Sequence, residues 1–186
     1  HHECIMYLSN VYKDLDIPAK DSKITNIIVG NSADPSNNHI EVLEKLLPYK
    51  DDKICIYVPL SYGNKAYAEK IIAQGKKWFC NKFIPVTDFM PYQEYLNFLG
   101  TIDIAFFNHK RQQGMGNNIT LLGLGKTVYL RSDTTQWQFF KEQNIEVLDV
   151  EDISILEIKR LEQNTSKVKK YFSKENLIKQ YRRIFE

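Results

Sequence analysis

Short apolar runs alternate with segments of helical period along most of this chain, and that alternation limits the folds it can adopt. Residues 26–30, 53–58, 78–79, 103–107, 127–130 and 146–148 read as six short strands. Between them, residues 37–47, 64–74, 91–99, 117–124 and 134–142 carry apolar side chains three and four apart, the spacing of one helix face. Ile40, Leu43, Leu46 and Leu47 illustrate it. Strands that are apolar throughout need cover on both faces, and alternating helices supply it. Right-handed crossovers then predict an α/β, Rossmann-like, doubly wound parallel sheet. Ligands of such sheets sit beyond the carboxyl ends of the strands. The loops there are 30–39, 59–63, 84–90, 107–117 and 131–135.

A length of 186 residues suffices for one domain with a real core. A net charge of +2 gives no global pull toward nucleic acid, and none is expected as a partner. The positive excess lies in residues 151–186, with nine Lys/Arg against six Asp/Glu. Within them, Leu177, Ile178, Tyr181, Ile184 and Phe185 share a helical face, with Lys174, Lys179, Arg182 and Arg183 mostly elsewhere. This reads either as a helix packed on the domain or as one drawn to an anionic membrane surface. Cys4, Cys55 and Cys80 show no C-x-x-C spacing, which predicts reduced thiols and no structural zinc. No apolar run approaches membrane-spanning length. His1 and His2 read as a tag remnant or a cut from a longer chain and take no part in metal reasoning. The domain is expected at 24–150, after a remnant and polar linker at 1–23 and before helices at 151–186 that pack on it.

Two loops stand out chemically. Arg111-Gln112-Gln113-Gly114-Met115-Gly116-Asn117 follows a strand and opens a helix. Such a loop leaves backbone N–H groups unpaired and aimed at one point, and the arginine adds a positive fork, so it predicts a phosphate or diphosphate site. The other, Gly30-Asn31-Ser32-Ala33-Asp34-Pro35-Ser36-Asn37-Asn38-His39, is rich in short polar side chains able to cap a helix or bind oxyanions. It reads as a well-capped turn or a ligand loop. Neither matches G-x-G-x-x-G, and Gly125-Lys126-Thr127 follows a helix where a Walker loop needs a strand. His39 fits three roles: general base, phosphate contact or partner to the helix start. His109, beside Lys110 and Arg111, reads as exposed. Phe89 and Met90 suit either the core or the two sides of a flat nucleobase. Gln138 is placed to reach a sugar hydroxyl, and Trp137 to pack. Asp14-Leu15-Asp16 spells D-x-D but lies in the polar linker, so no metal ligand and no cofactor is predicted.

Gly30-Asn31-Ser32 with Asp34 and Ser36-Asn37-Asn38-His39, then Arg111-Gln112-Gln113-Gly114 with Gly116, then Trp137-Gln138, resemble the 4-acetamido-4,6-dideoxy-D-galactose transferases of enterobacterial common antigen synthesis, glycosyltransferase family 56. The resemblance runs from about residue 24 to about residue 150. It implies a GT-B enzyme, with two Rossmann-like domains facing across a cleft, the C-terminal one holding the nucleotide-sugar donor. It implies inverting, metal-independent transfer from a dTDP-sugar to a lipid-linked saccharide at the cytoplasmic face of the bacterial inner membrane. Gly30, Asn31, Ser32, Asn38, His39, Phe89, Met90, Arg111, Gln112, Gln113, Gly114, Gly116 and Gln138 are then the expected substrate-binding residues. At about half the expected length, the chain corresponds to the donor half, with the catalytic base expected on the missing N-terminal domain. A GT-B transferase of UDP- or GDP-sugars and a non-catalytic nucleotide-binding module remain the alternatives.

Overall fold

Ile27, Ile28 and Val29 are fully buried, with no solvent side available to any of them. They end strand β1 (Thr25–Val29), at the centre of a parallel sheet. The computed structural model describes residues 7–15, 23–153, 156–159 and 161–185. The other strands are β2 (Ile54–Pro59), β3 (Phe83–Val86), β4 (Ile104–Phe107), β5 (Thr127–Leu130) and β6 (Leu148–Asp149), in the order β3-β2-β1-β4-β5-β6. Every pairing is parallel: Ile28 stands beside Tyr57 of β2 and Ala105 of β4. The order reverses between β1 and β4, which opens a crevice above those two strands.

The helices are α1 (His39–Leu46), α2 (Lys65–Phe79), α3 (Tyr92–Thr101), α4 (Met115–Gly123), α5 (Thr135–Glu142), α6 (Glu162–Tyr171) and α7 (Lys174–Phe185). Side chains alternate across a strand, so each strand feeds two cores. Ile27, Val29 and Phe106 pack with Val42, Leu43 and Ile71 of α1 and α2. Ile28, Ala105 and Phe107 pack with Leu99, Ile119 and Phe140 of α3, α4 and α5. Val168, Phe172 and Leu177 bring the C-terminal helices onto this second core.

The third strand is not at Trp78-Phe79, which end α2, but at Phe83–Val86. Pro85 argues against a strand, because it has no N–H for a ladder. β3 is the sheet edge, where that loss is tolerated. Gly75 makes the neighbouring contact possible, since any Cβ there would overlap the Phe83 ring. The sixth strand, Leu148–Asp149, starts two residues later than expected and ends one later. In α7, Leu177 is buried while Ile178 and Phe185 are exposed, so the tail presents an apolar edge beside its cations. Among the described residues no helix is long and apolar enough to cross a membrane.

Candidate anion-binding cleft

The loop after β4 ends in a helix start that, among the described residues, no side chain caps. Gly114 adopts φ 64°, ψ 20°, the left-handed region that glycine enters freely, and no side chain bonds to the first turn of α4. The first backbone bond of that turn is Asn118 N–H to Gly114 O at 3.1 Å. The amides of Met115, Gly116 and Asn117 therefore precede the helix's own ladder. Among the described residues, the nearest atom to a Cβ built at Gly116 is the Ser9 carbonyl oxygen, at 4.0 Å. Space and donors coincide there, which is what an anion needs at a helix N-terminus.

The loop after β1 is built differently. Asp34 accepts from Ser36 N–H at 2.9 Å and caps the turn Pro35–Asn37. Those bonds, with lesser help from Arg111, hold its carboxyl below the usual range. Asn37 is fully buried; it donates to the Ser32 and Asp34 carbonyls, both at 3.1 Å, and accepts from Asn31 N–H at 3.1 Å. Asn38, left-handed at φ 50°, donates to the carbonyls of Ser36 at 3.2 Å and Asn108 at 2.9 Å. Most of the polar side chains that suggested a ligand loop satisfy the loop itself.

Beside the Asn38 bond to Asn108, four side-chain contacts join the two loops. Arg111 pairs with Asp34 at 2.8 Å and donates to Ser36 Oγ at 3.3 Å. Ser36 Oγ donates to Gln113 Oε1 at 3.0 Å, and Gln113 Nε2 to Asn31 Oδ1 at 3.2 Å. Below them, Arg131 binds Asp133 through two bonds of 2.9 and 2.7 Å and donates to Asn108 Oδ1 at 3.3 Å. Asn108 in turn donates to Glu41 at 2.9 Å, tying the ends of β4 and β5 to α1.

A cavity of about 1100 Å³ opens over these strand ends. Asn31 and the run Gln112–Asn117 line its middle, and Val86, Asp88, Phe89 and Met90 line it after β3. Of the expected residues, Asn31, Phe89, Met90, Gln112, Gln113, Gly114 and Gly116 come together here. Phe89 is 85% exposed, a ring held open to solvent rather than a core residue.

The other expected residues stand elsewhere. Gly30 and Ser32 lie within the first loop, Gly30 because a Cβ there would overlap the His39 ring. His39 is fully buried behind it, with Nδ1 3.2 Å from Tyr67 Oη, and burial lowers its pKa to about 4. Arg111 points to Asp34 rather than into the cavity. Gln138 is turned outward and donates to Glu142 at 2.8 Å. Thr134 caps α5 by accepting from Trp137 N–H at 3.3 Å, which fixes the helix phase and turns Gln136 inward instead. Gln136 is 3% exposed and lines the cavity. His109 is also buried, contrary to its charged sequence neighbours, and its pKa is likewise lowered to about 4 by burial. Asp14 of the D-x-D pairs with Lys169 at 2.5 Å, and Asp16 lies outside the described residues. Among the described residues no three His, Cys, Asp or Glu side chains gather as a metal site.

Sequence reading missed the polar contribution of the segment before β1, whose Ser9 and Asn10 also line the cavity. It missed Tyr95, which accepts from Asn117 at 2.9 Å and whose phenol is pushed well up by burial.

Several solved structures share this fold. TarM matches with a TM-score of 0.68 at 14% identity, over 95% of this chain and 38% of TarM. The C-terminal domain of the glycosyl transferase group 1 family protein LpcC from Francisella tularensis matches with a TM-score of 0.58 at 13% identity, over 91% of this chain and 89% of that domain. A trehalose-6-phosphate protein from E. coli, solved bound with UDP-2-fluoro glucose, matches with a TM-score of 0.59 at 10% identity, over 87% of this chain and 43% of its own. The chain thus spans less than half of TarM and of the E. coli protein, and nearly all of the single domain. These likenesses establish the fold, a Rossmann-like parallel sheet of the kind found in GT-B glycosyltransferase domains. The profile of the 4-alpha-L-fucosyltransferase family, glycosyl transferase group 56, matches residues 6–185, nearly the whole sequence, and the chain belongs to that family.

Proposed function

We propose that this chain is the donor-binding domain of an inverting, metal-independent glycosyltransferase, and that its donor is a dTDP-linked 4-acetamido-4,6-dideoxyhexose. The observation that carries the reading is the uncapped first turn of α4, opening at Gly114 into the cavity beside Gln112 and Gln113. The diphosphate lies on the amides of Met115, Gly116 and Asn117. Phe89 and Met90 flank the base, and Asn31 and Gln113 fix the remaining polar groups.

As the glycosidic bond breaks, the leaving nucleoside diphosphate gains negative charge. Backbone N–H groups already aimed at that charge stabilise it without reorganising, and each such donor is worth about 2.7–4 kcal/mol at a transition state. The α4 dipole adds to the effect. Arg111 holds Asp34 and Ser36 and so sets the distance between the two loops. The site that holds the lipid-linked saccharide, whose hydroxyl attacks, and the base that deprotonates that hydroxyl fall to a preceding Rossmann-like domain of the same polypeptide, so this piece alone binds donor without turnover. The cations of α7, beside exposed Ile178 and Phe185, suit a peripheral position on the cytoplasmic face of the bacterial inner membrane.

A UDP- or GDP-sugar is the competing reading, favoured by the shared fold of the E. coli protein bound with UDP-2-fluoro glucose. Competition calorimetry with dTDP, UDP and GDP decides between them. The proposal expects dTDP to bind tightest. Tighter UDP or GDP binding reassigns the base, and no heat with any of the three at millimolar concentration leaves a non-catalytic module.

A further inference from the structure

Strand-end loops make only part of the cleft. Ser9 and Asn10 come from the segment ahead of β1, and Ser9 O is the atom nearest to the open side of Gly116. This segment is seated in the domain rather than draped over it. The Tyr12 ring fills a notch in α4 that exists because residue 123 is glycine, since any Cβ there would overlap the ring. A glycine in the last turn weakens a helix relative to alanine, so the notch has a local cost that the tyrosine offsets by burial. Tyr12 N–H donates to Phe172 O at 2.9 Å. On either side, Asp14 pairs with Lys169, and Lys13 Nζ stands 4.7 Å from the centre of the Tyr92 ring. Residues 12–14 are thereby fixed to α3, α4 and the α6 end together.

Ser9 and Asn10 are neutral and carry both donors and acceptors. Among the described residues, the cavity lining holds one charged side chain, Asp88, in the loop after β3, and no lysine or arginine. Backbone amides of the α4 start serve the diphosphate, whereas the hydroxyl of Ser9 and the amide of Asn10 match the hydroxyl and acetamido groups of a neutral hexose. Their place against the first turn of α4 is where the group carried by the distal phosphate would emerge.

We propose that residues 7–12 are part of the donor site, with Ser9 and Asn10 contacting the transferred sugar and Tyr12, in the Gly123 notch, holding them there. The proposal rests on the dTDP-sugar reading above. It is tested by titrating dTDP and dTDP-4-acetamido-4,6-dideoxyhexose into the wild-type chain, Asn10→Ala and Gly123→Ala. Asn10→Ala alters a surface side chain and keeps the test open if Gly123→Ala does not fold. Both variants are expected to bind the sugar nucleotide at least fivefold more weakly and dTDP within twofold of wild type. Equal loss for both ligands, or no loss for either, overturns the proposal while leaving the donor site intact. A wild-type chain that binds neither ligand removes the dTDP-sugar reading itself, and this assignment with it.

Discussion

The loops after β1 and β4 look alike in sequence: each is polar, each holds a glycine, and each leads into a helix. They are physically opposite. The first spends its side chains on itself: the Asn37 side chain makes four bonds within the loop and is fully sealed from solvent. The second leaves its helix start bare, with a left-handed Gly114 and an open Gly116. One is a scaffold and the other a receptor, and Arg111, Ser36 and Gln113 hold them at a fixed distance. A polar loop is therefore evidence for a ligand only when its polar groups are not already partnered.

The largest expected effect falls on the scaffold. Asn37→Ala removes the side-chain partner of Asn31 N–H and of the Ser32 carbonyl, and each orphaned group costs about 1–3 kcal/mol. Thermal unfolding should show a loss of roughly 2–4 kcal/mol. A stability change under about 0.5 kcal/mol would mean that the loop is not self-supporting. Gly116→Val should do the reverse. Its methyl groups enter the empty space over the first turn, and dTDP affinity should fall at least tenfold, about 1.4 kcal/mol. Its melting temperature should stay near that of wild type, and an unchanged dissociation constant would remove the anion from that turn.

Acid sensitivity is shared by the two loops, through His39 in the scaffold and His109 in the receptor. Burial lowers the His39 pKa from 6.5 to about 4. Between those values the unfolded chain takes a proton that the folded chain refuses. Stability is thus full above pH 6.5 and declines toward pH 4, by roughly 1.4 kcal/mol per pH unit. His39→Gln should flatten the melting temperature over pH 6.5 to 4.5. His109 contributes in parallel and remains in both proteins, so the flattening is partial. Identical slopes would assign the sensitivity elsewhere.

The smallest effect is expected at Arg111. Its pair with Asp34 is 63% and 38% exposed on the two sides, and such pairs contribute about 0.2–1 kcal/mol. Arg111→Ala should cost no more than that and shift dTDP affinity less than threefold. A loss as large as that of Gly116→Val would show that the guanidinium leaves Asp34 for the diphosphate when donor binds.

The parallel sheet was legible because apolar runs and helical spacing report burial directly. Pro85 hid β3, since a sequence does not say which strand is an edge. The apolar residues of the Trp78 region misled because they continue the face of Ile71 and Ile72. In the cleft, Gly114 and Gly116 were readable from order alone: strand, glycine loop, helix. Gln136 was not, because choosing between it and Gln138 requires the phase that the Thr134 cap sets. His109 turned inward against the charge of its neighbours, and burial of one side chain in a loop leaves no periodic trace. The Tyr12 notch depends on a contact across more than a hundred residues and has no local signal.

The central claim is that the first turn of α4, and not the loop after β1, receives the diphosphate. Amide chemical-shift mapping with dTDP tests it most directly. The largest shifts are expected at the backbone N–H groups of Met115, Gly116 and Asn117, with those of Asn37 and Asn38 nearly still. Dominant shifts in residues 31–38, or saturation with no response at Gly116, would contradict it.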